Sequence, residues 1–569
     1  MKNIIRSRPG VSIKFLAFSL LLFYNGCDRT GPIQSQKDIQ QKHQPEQQLI
    51  DLSLLVAPNF PATWPDGFPE FQINHYRQIG PATPYNSDIL TLDEHTGTQF
   101  DAPAHGPVTG RMAEMTADKI PVWQMVGEAC VINIENLLDT SSNGKGPLIT
   151  EDSVVTWEQK NRVLGPGDVV LFNSGYSDKY YRQLPEGRRW IAEPLEGSAP
   201  GWPGPNTGCM EYLASKKVMT LGIDSPSMGP LPPPLPSDAH GAGLKYGMVW
   251  AESLINLDAL PVTGAFFGMI GPKHLGGVGS EVRAFAIPKG PLAKWLIEAA
   301  RKKHVVDLSV ALSAELPVSW PGAGVGNHLY PYFQNKINPT QHQHSMDSQT
   351  GTHLVPPSYV LPPHGFDNNN YSQEVQQWLS EYEEQYGPRT TSDITTEKVS
   401  LSQTTGWARV IDIKHLIGTT EKTNWPESPL ITSEHLRQFE KKSGDLNPGE
   451  IVIFHSGYTD QYFHSFPQGN AYLKEPLNGQ REGWPALGPD AVIYLAEKGI
   501  RCVATDSPSL GGTRPKQALI TYWTLGNKGI VGIEQLTKIG TLPAKSYFIF
   551  AAPKIRGSHG GPGRAIALY

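Results

Sequence analysis

Most of this chain is written twice, and that repeat limits its possible folds more than any local motif does. Ile50-Asp-Leu-Ser-Leu-Leu-Val56 returns as Val306-Asp-Leu-Ser-Val-Ala-Leu312. Pro61-Ala-Thr-Trp-Pro65 returns as Pro317-Val-Ser-Trp-Pro321. Val169-Val-Leu-Phe-Asn-Ser-Gly-Tyr-Ser-Asp178 returns as Ile451-Val-Ile-Phe-His-Ser-Gly-Tyr-Thr-Asp460. The spacing grows from roughly 255 to 282 residues, and a polar insertion around Asp367–Lys398 in the second copy accounts for the growth. Residues 50–288 and 304–569 are therefore read as two copies of one domain. Residues 289–303 join them, with a short basic-ended helix expected over Ala293–Lys303.

Within each copy, apolar strand-like runs such as Gly167–Phe172 alternate with helical runs such as Gly208–Lys216. That alternation predicts a mixed α/β domain. The 57 Gly and 50 Pro make the chain rich in turns, and a net charge of -6 argues against a broad nucleic-acid surface.

The N-terminus reads as an export signal. Lys2, Arg6 and Arg8 precede the apolar run Phe15–Phe23, which is too short to span a bilayer comfortably. Gly26-Cys27 closes residues 1–27 as a lipoprotein-type signal would, so lipidation at Cys27 and a periplasmic or cell-envelope location are expected. Ordinary cleavage and an uncleaved anchor stay open. Residues 28–49 form a Gln-rich polar linker that cannot build a core. Cys130, Cys209 and Cys502 lack metal-site spacing, and Cys130 and Cys502 sit in strand-like runs and read as small apolar core residues.

The chemistry concentrates in Glu94–Gly106. His95, Gln99, Asp101 and His105 stand at i, i+4, i+6 and i+10, so an extended segment would turn all four to one face. Nitrogen and oxygen donors converging there suit a divalent ion such as Zn or Mn. His240 and Glu252 add another imidazole and another carboxylate. No Gly-x-Ser-x-Gly elbow is present, and Ser225 is followed by proline instead of a helix start.

His95-x-Gly-Thr-Gln99-x-Asp101-x-Pro-x-His105 resembles the His-x-Gly-Thr-His-x-Asp-x-Pro-x-His signature of the cyclase family, which includes bacterial kynurenine formamidases and isatin hydrolases. Leu221–Ser227, Gly276-Gly277 and Arg283-Ala284 extend the likeness, and His240 and Glu252 match a His and Glu twelve apart in the family. The resemblance implies a swivelling β/β/α fold in each copy. It implies that the metal ligands lie among His95, Asp101, His240 and Glu252, with Gln99 where the family has its second histidine. A carboxamide oxygen is a poorer transition-metal ligand than an imidazole, so one ion or two stay open.

The function implied is hydrolysis of a C–N bond in an aryl formamide or cyclic amide by metal-activated water. His105 is the expected general acid/base, and Glu252 is either a ligand or a second proton carrier. Phe60, Trp64 and Phe68 are candidates to stack on a flat aromatic substrate, or else pack in their own loop. Lactone hydrolysis by the same site, and a non-catalytic envelope binding lipoprotein, are the competing readings.

The second copy departs from the signature. Gln349, Val355 and Tyr359 replace His95, Asp101 and His105, and Tyr522 replaces His240; only His353 and Glu534 keep ligand types. One active and one degenerate copy are expected, the second walling the first site as a tethered partner in an internal pseudo-dimer. His342, His344 and His364 read as solvated loop histidines.

Overall fold

The computed structural model describes residues 49–65, 67–321, 328–332 and 341–569. The export signal, Cys27 and nearly all of the Gln-rich linker lie outside the described residues.

Each copy builds one nine-stranded mixed sheet, and the two sheets have the same strand order. In the first copy that order runs Ile50–Asp51, Arg283–Ile287, Thr263–Ile270, Val126–Asn133, Asp168–Asn173, Thr220–Ile223, Val249–Glu252, Gln99–Asp101 and Gly279–Glu281. The four strands from Val126–Asn133 to Val249–Glu252 are parallel. They read as near-continuous apolar runs because both faces of a parallel sheet are covered. The second copy repeats the arrangement from Val305–Asp307 to Gly561–Pro562.

Helices Glu151–Lys160, Thr207–Ser215 and Leu235–Leu244 belong to the first copy. Thr207–Ser215 starts where the Asn206 side chain accepts the Cys209 N–H at 2.8 Å, satisfying one free donor of the first turn. The joining helix runs Pro291–Arg301, two residues ahead of the expected bounds at each end, because proline is well suited to the first helical turn. Its Ala293, Leu296, Ile297 and Ala300 fall on one buried stripe. Burying Leu296 and Ile297 contributes roughly 1.5–3 kcal/mol each, so Leu296→Ala would loosen this joint first. Among the described residues, no helix is long and apolar enough to cross a membrane.

The copies meet about a pseudo-twofold axis. Strands Ser87–Asp93 and Gln341–Asp347 pair antiparallel, with Thr91 opposite Ser345 at the centre, and Gln72–Arg77 and His328–Tyr332 complete a four-stranded sheet shared by both copies. Around that axis the contacts recur in pairs. Lys554 reaches Asp51 at 2.8 Å, and Lys273 reaches Asp307 at 3.0 Å. Val56 bridges Ile555, and His274 bridges Leu312. The apolar core is continuous across the seam, Leu401, Ile549 and Ile566 joining Phe266, Phe285 and Leu296. This pairing corrects the expectation of solvated loop histidines: His344 is fully buried against the first copy and His342 is a half-buried strand residue 3.0 Å from Glu94 of the first copy, whereas His364 is exposed as expected.

Candidate metal centre

Glu252 ends the last parallel strand, and its neighbour Gln99–Asp101 lies antiparallel to it. Register places Glu252 opposite Gln99, and Trp250 opposite Asp101. Directly paired residues share a face, so the sheet itself gathers the two carboxylates.

His95 and His105 arrive differently from the extended segment expected. The strand holds only Gln99–Asp101. His95 lies in the preceding turn, where Gly97 adopts φ +66°, and His105 closes a short 3-10 turn begun by Pro103. A Cβ at Gly97 would also meet the Val56 side chain at 2.6 Å, so the turn requires glycine twice over. The chain curls round Asp101 instead of running past it.

The result is a buried knot of donors. His95 Nε2 stands 3.4 Å from Asp101 Oδ1, His240 Nε2 3.4 Å from Asp101 Oδ2, and His105 Nε2 3.9 Å from Asp101 Oδ2. His240 Nε2 is also 3.6 Å from Glu252 Oε1. Asp101 is thus common to two groups of ligand atoms, His95–Asp101–His105 and Asp101–His240–Glu252. His240 Nδ1 bonds the Pro236 carbonyl oxygen at 2.7 Å, which turns Nε2 inward as in many metal-binding imidazoles.

Both His95 ring nitrogens, Gln99 Oε1, Asp101 Oδ1 and His105 Nδ1 are buried without a hydrogen-bond partner. Orphaned buried polar atoms are costly, and a divalent ion would satisfy several together. The donor set therefore fits a metal. His95, Gln99, Asp101, His240 and Glu252 could hold it.

The electrostatics divide the histidines. Burial, reinforced by His95 and His240, pushes the His105 imidazole down to about 3, so this ring is neutral near pH 7, well below the ordinary histidine value expected for it. His240 goes the other way: burial opposes its protonation, but Asp101 and Glu252 raise it to about 10. Burial and the Asp101 charge raise Glu252. Burial likewise disfavours the Asp101 anion, but His105, His240 and His95 hold its carboxyl well below the usual range. His105 keeps partial exposure, 14 % for its side chain against 3 % for His95, and marks the mouth of the site.

Two residues outside the sequence reading complete the centre. Trp250 Nε1 donates to Asp101 Oδ2 at 3.0 Å and to Glu252 Oε1 at 3.2 Å. The Met228 N–H donates to Glu252 Oε1 at 2.6 Å. An apolar-run tryptophan carries no sequence signal of such a role, although its alternation with Glu252 places both on one face.

The aromatic loop is tied to the signature turn by Gly97 N–H donating to the Ala62 carbonyl oxygen at 2.7 Å. Phe60 packs on Tyr181 and beneath Arg556 of the second copy. Trp64 stands edge-on to Trp202 and beside Phe68, and both remain half-buried.

The second copy keeps the scaffold without the knot. Tyr522 donates its hydroxyl to Glu534 Oε1, and the Leu510 N–H donates to the same oxygen. His353 Nε2 lies 3.3 Å from Glu534 Oε2, and the Gln349 amide is spent on the His559 carbonyl oxygen. Among the described residues, no group of three ligand side chains forms there.

The chain is similar in sequence to known proteins. A family model, Cyclase, described as "Putative cyclase", matches residues 50–230 and again 306–511. An isatin hydrolase of Roseibium aggregatum is 28% identical over 259 residues, 43% of this chain and 93% of the relative. A kynurenine formamidase of Erythrobacter litoralis is 26% identical over 216 residues, 38% of this chain and 82% of the relative. The solved structure of an isatin hydrolase bound to the product analogue thioisatinate aligns with TM-score 0.36 and 25% identity, over 42% of this chain and 92% of that one. With both copies matched, the chain belongs to the Cyclase family, as a tandem of two β/β/α domains.

Proposed function

We propose that the first copy is a metal-dependent hydrolase that opens a C–N bond in a cyclic amide of the isatin type or in an aryl formamide. The observation that carries this reading is Asp101, gripped from both sides by the His95 and His240 imidazoles, with both His95 ring nitrogens lacking a hydrogen-bond partner. The isatin hydrolase and kynurenine formamidase relatives support the bond type.

His95, Asp101, His240 and Glu252, with Gln99 weakly, would hold a divalent ion, Mn or Zn, which would supply Lewis acidity to a carbonyl and to water. His105 does the proton work. Neutral and at the mouth, it takes a proton as water oxygen bonds to the carbonyl carbon, then gives it to the nitrogen as the C–N bond breaks. The products are a carboxylate and an amine, joined in one molecule when a cyclic amide opens, and the acid's proton is released to solvent. Trp250 and the Met228 N–H hold the carboxylates in place during both steps. Trp64 and Phe68 offer aromatic faces beside the turn that carries His95.

The test is hydrolysis of isatin, N-formylkynurenine, formanilide and simple lactones by metal-loaded protein, beside Asp101→Asn. Cleavage of an amide substrate that the variant cannot perform supports the reading. Lactone cleavage alone would move the bond class, and no turnover with Mn or Zn would overturn it. We also propose that the protein is exported and lipid-anchored at Cys27, as the pattern of residues 1–27 supports. Loss of membrane association in Cys27→Ala is the check.

A further inference from the structure

The seam between the copies holds a second cluster of ligand-type side chains. His274 lies in the loop after strand Thr263–Ile270 and Glu281 ends strand Gly279–Glu281, both in the first copy; His344 comes from strand Gln341–Asp347 of the second. Their ligand atoms lie within 4.8 Å of one another. All three are buried, at 0, 2 and 0 % exposure.

The cluster is not satisfied by its own contacts. His274 Nε2 and Glu281 Oε1 are 3.2 Å apart, which uses one atom of each. His274 Nδ1, Glu281 Oε2 and both ring nitrogens of His344 have no hydrogen-bond partner. Glu94 Oε2, the nearest further carboxylate oxygen, is 3.8 Å from His344 Nε2 and already accepts the Val278 N–H. Four orphaned polar atoms at one fully buried spot are an unfavourable arrangement unless something binds them.

The pseudo-twofold axis supplies an internal control. Glu281 and Pro562 occupy the same register, opposite Gln99 and His353 respectively. His274 and Ile555 bridge the equivalent residues Leu312 and Val56. Met346 lies opposite Leu90 and His344 opposite Leu92, so His344 and Leu90 are counterparts. The symmetry-related place is therefore Leu90, Ile555 and Pro562, and Leu90 and Ile555 pack into one apolar core. Three ligand types stand together on one side of the axis where the other side has none.

A second seam cluster, His75–Asp88–His559, differs in being hydrogen-bonded within itself. Asp88 contacts the His75 ring at 2.6 Å and the His559 ring at 3.0 Å, and it accepts the His559 N–H at 2.6 Å.

We propose that His274, Glu281 and His344 bind a divalent cation, zinc by preference, in a site completed only when the second copy docks on the first. Two imidazoles and one carboxylate are a common zinc donor set. The site is separate from the hydrolytic centre: register puts Glu252, Gln99 and Glu281 in one row across three strands, with Gln99 between the two sites. The degenerate copy thereby contributes a ligand as well as a wall.

The experiment is zinc stoichiometry of the metal-stripped full chain, read by elemental analysis after equilibrium dialysis, with thermal unfolding in parallel. Wild type is expected to bind one more zinc per chain than His344→Leu or the near-isosteric Glu281→Gln. Asp101→Asn is expected to keep the seam ion and a zinc-dependent rise in unfolding temperature. Adding Glu281→Gln to that variant should abolish the rise, and His559→Ala should leave the count unchanged. Equal zinc counts in wild type and folded Glu281→Gln, or no zinc on Asp101→Asn, would overturn the proposal. Neither readout depends on turnover, so failure of the hydrolase reading would leave this result standing.

Discussion

Gln99 donates its side-chain amide to Glu252 across the strand pair at 2.9 Å, which leaves its own carbonyl oxygen buried and unpartnered. The second copy has His353 at this register, with Nε2 3.3 Å from Glu534. The first copy thus carries the weaker donor in the copy that keeps the other ligands. Gln99→His is expected to tighten Mn or Zn binding by roughly tenfold or more, since imidazole outcompetes a carboxamide oxygen for these ions. Competition with a graded chelator series measures it. An unchanged affinity would mean that Gln99 serves Glu252 and not the ion.

His105 and His95 lie with ring centroids 4.3 Å apart and planes tilted by 40°, yet the two are expected to fail differently. His95→Ala should lose metal and turnover together. His105→Asn should keep its metal and lose kcat by about 10²–10⁴, the usual worth of a positioned acid/base. Parallel metal analysis and steady-state kinetics separate them. Metal loss in His105→Asn would make it a ligand.

Much of this was legible in the sequence, and the failures have a common cause. The duplication and α/β class could be read because buried parallel strands leave apolar runs and because the repeats kept Asp-Ser-Pro-Ser and Ser-Gly-Tyr in register. The ligand types were legible for the same local reason. The curled geometry of residues 95–105 was not, since even spacing says nothing of the turns at Gly97 and Pro103. Trp250 sits in an apolar run and is fully buried, and its donor role follows only from the pairing with Asp101. His344 looked solvated because nothing in Gln341–Asp347 announces that its partner strand is Ser87–Asp93 of the other copy. What was missed in each case depends on long-range pairing.

Tyr522 occupies the place of His240 and ties up Glu534 through its hydroxyl. Tyr522→Phe removes that donor from a carboxylate that is 2 % exposed. The expected cost is about 1–3 kcal/mol of stability, with metal content and kcat of the first site unchanged. Chemical denaturation beside the activity assay checks both halves. A loss of activity without loss of fold would show that the second site contributes to catalysis.

The paired contacts Lys554–Asp51 and Lys273–Asp307 make the seam sensitive to acid. Burial disfavours the Asp51 anion, but Arg283 and Lys554 together hold its carboxyl below its ordinary value; burial, Arg564 and Lys273 do the same at Asp307. The unfolded carboxyls titrate near about 3.9, so below that pH the unfolded chain takes up protons that the folded chain still refuses. The stabilisation is complete above the unfolded value and is lost as pH falls through the lower folded ones. Lys554→Met should therefore cost stability at pH 7, and the gap from wild type should narrow below about pH 4. Urea unfolding of both proteins at pH 7 and pH 3.5 reads the two gaps directly. If they are equal, the Lys554 ammonium does not govern Asp51, and the seam is held by its apolar core and shared sheet alone.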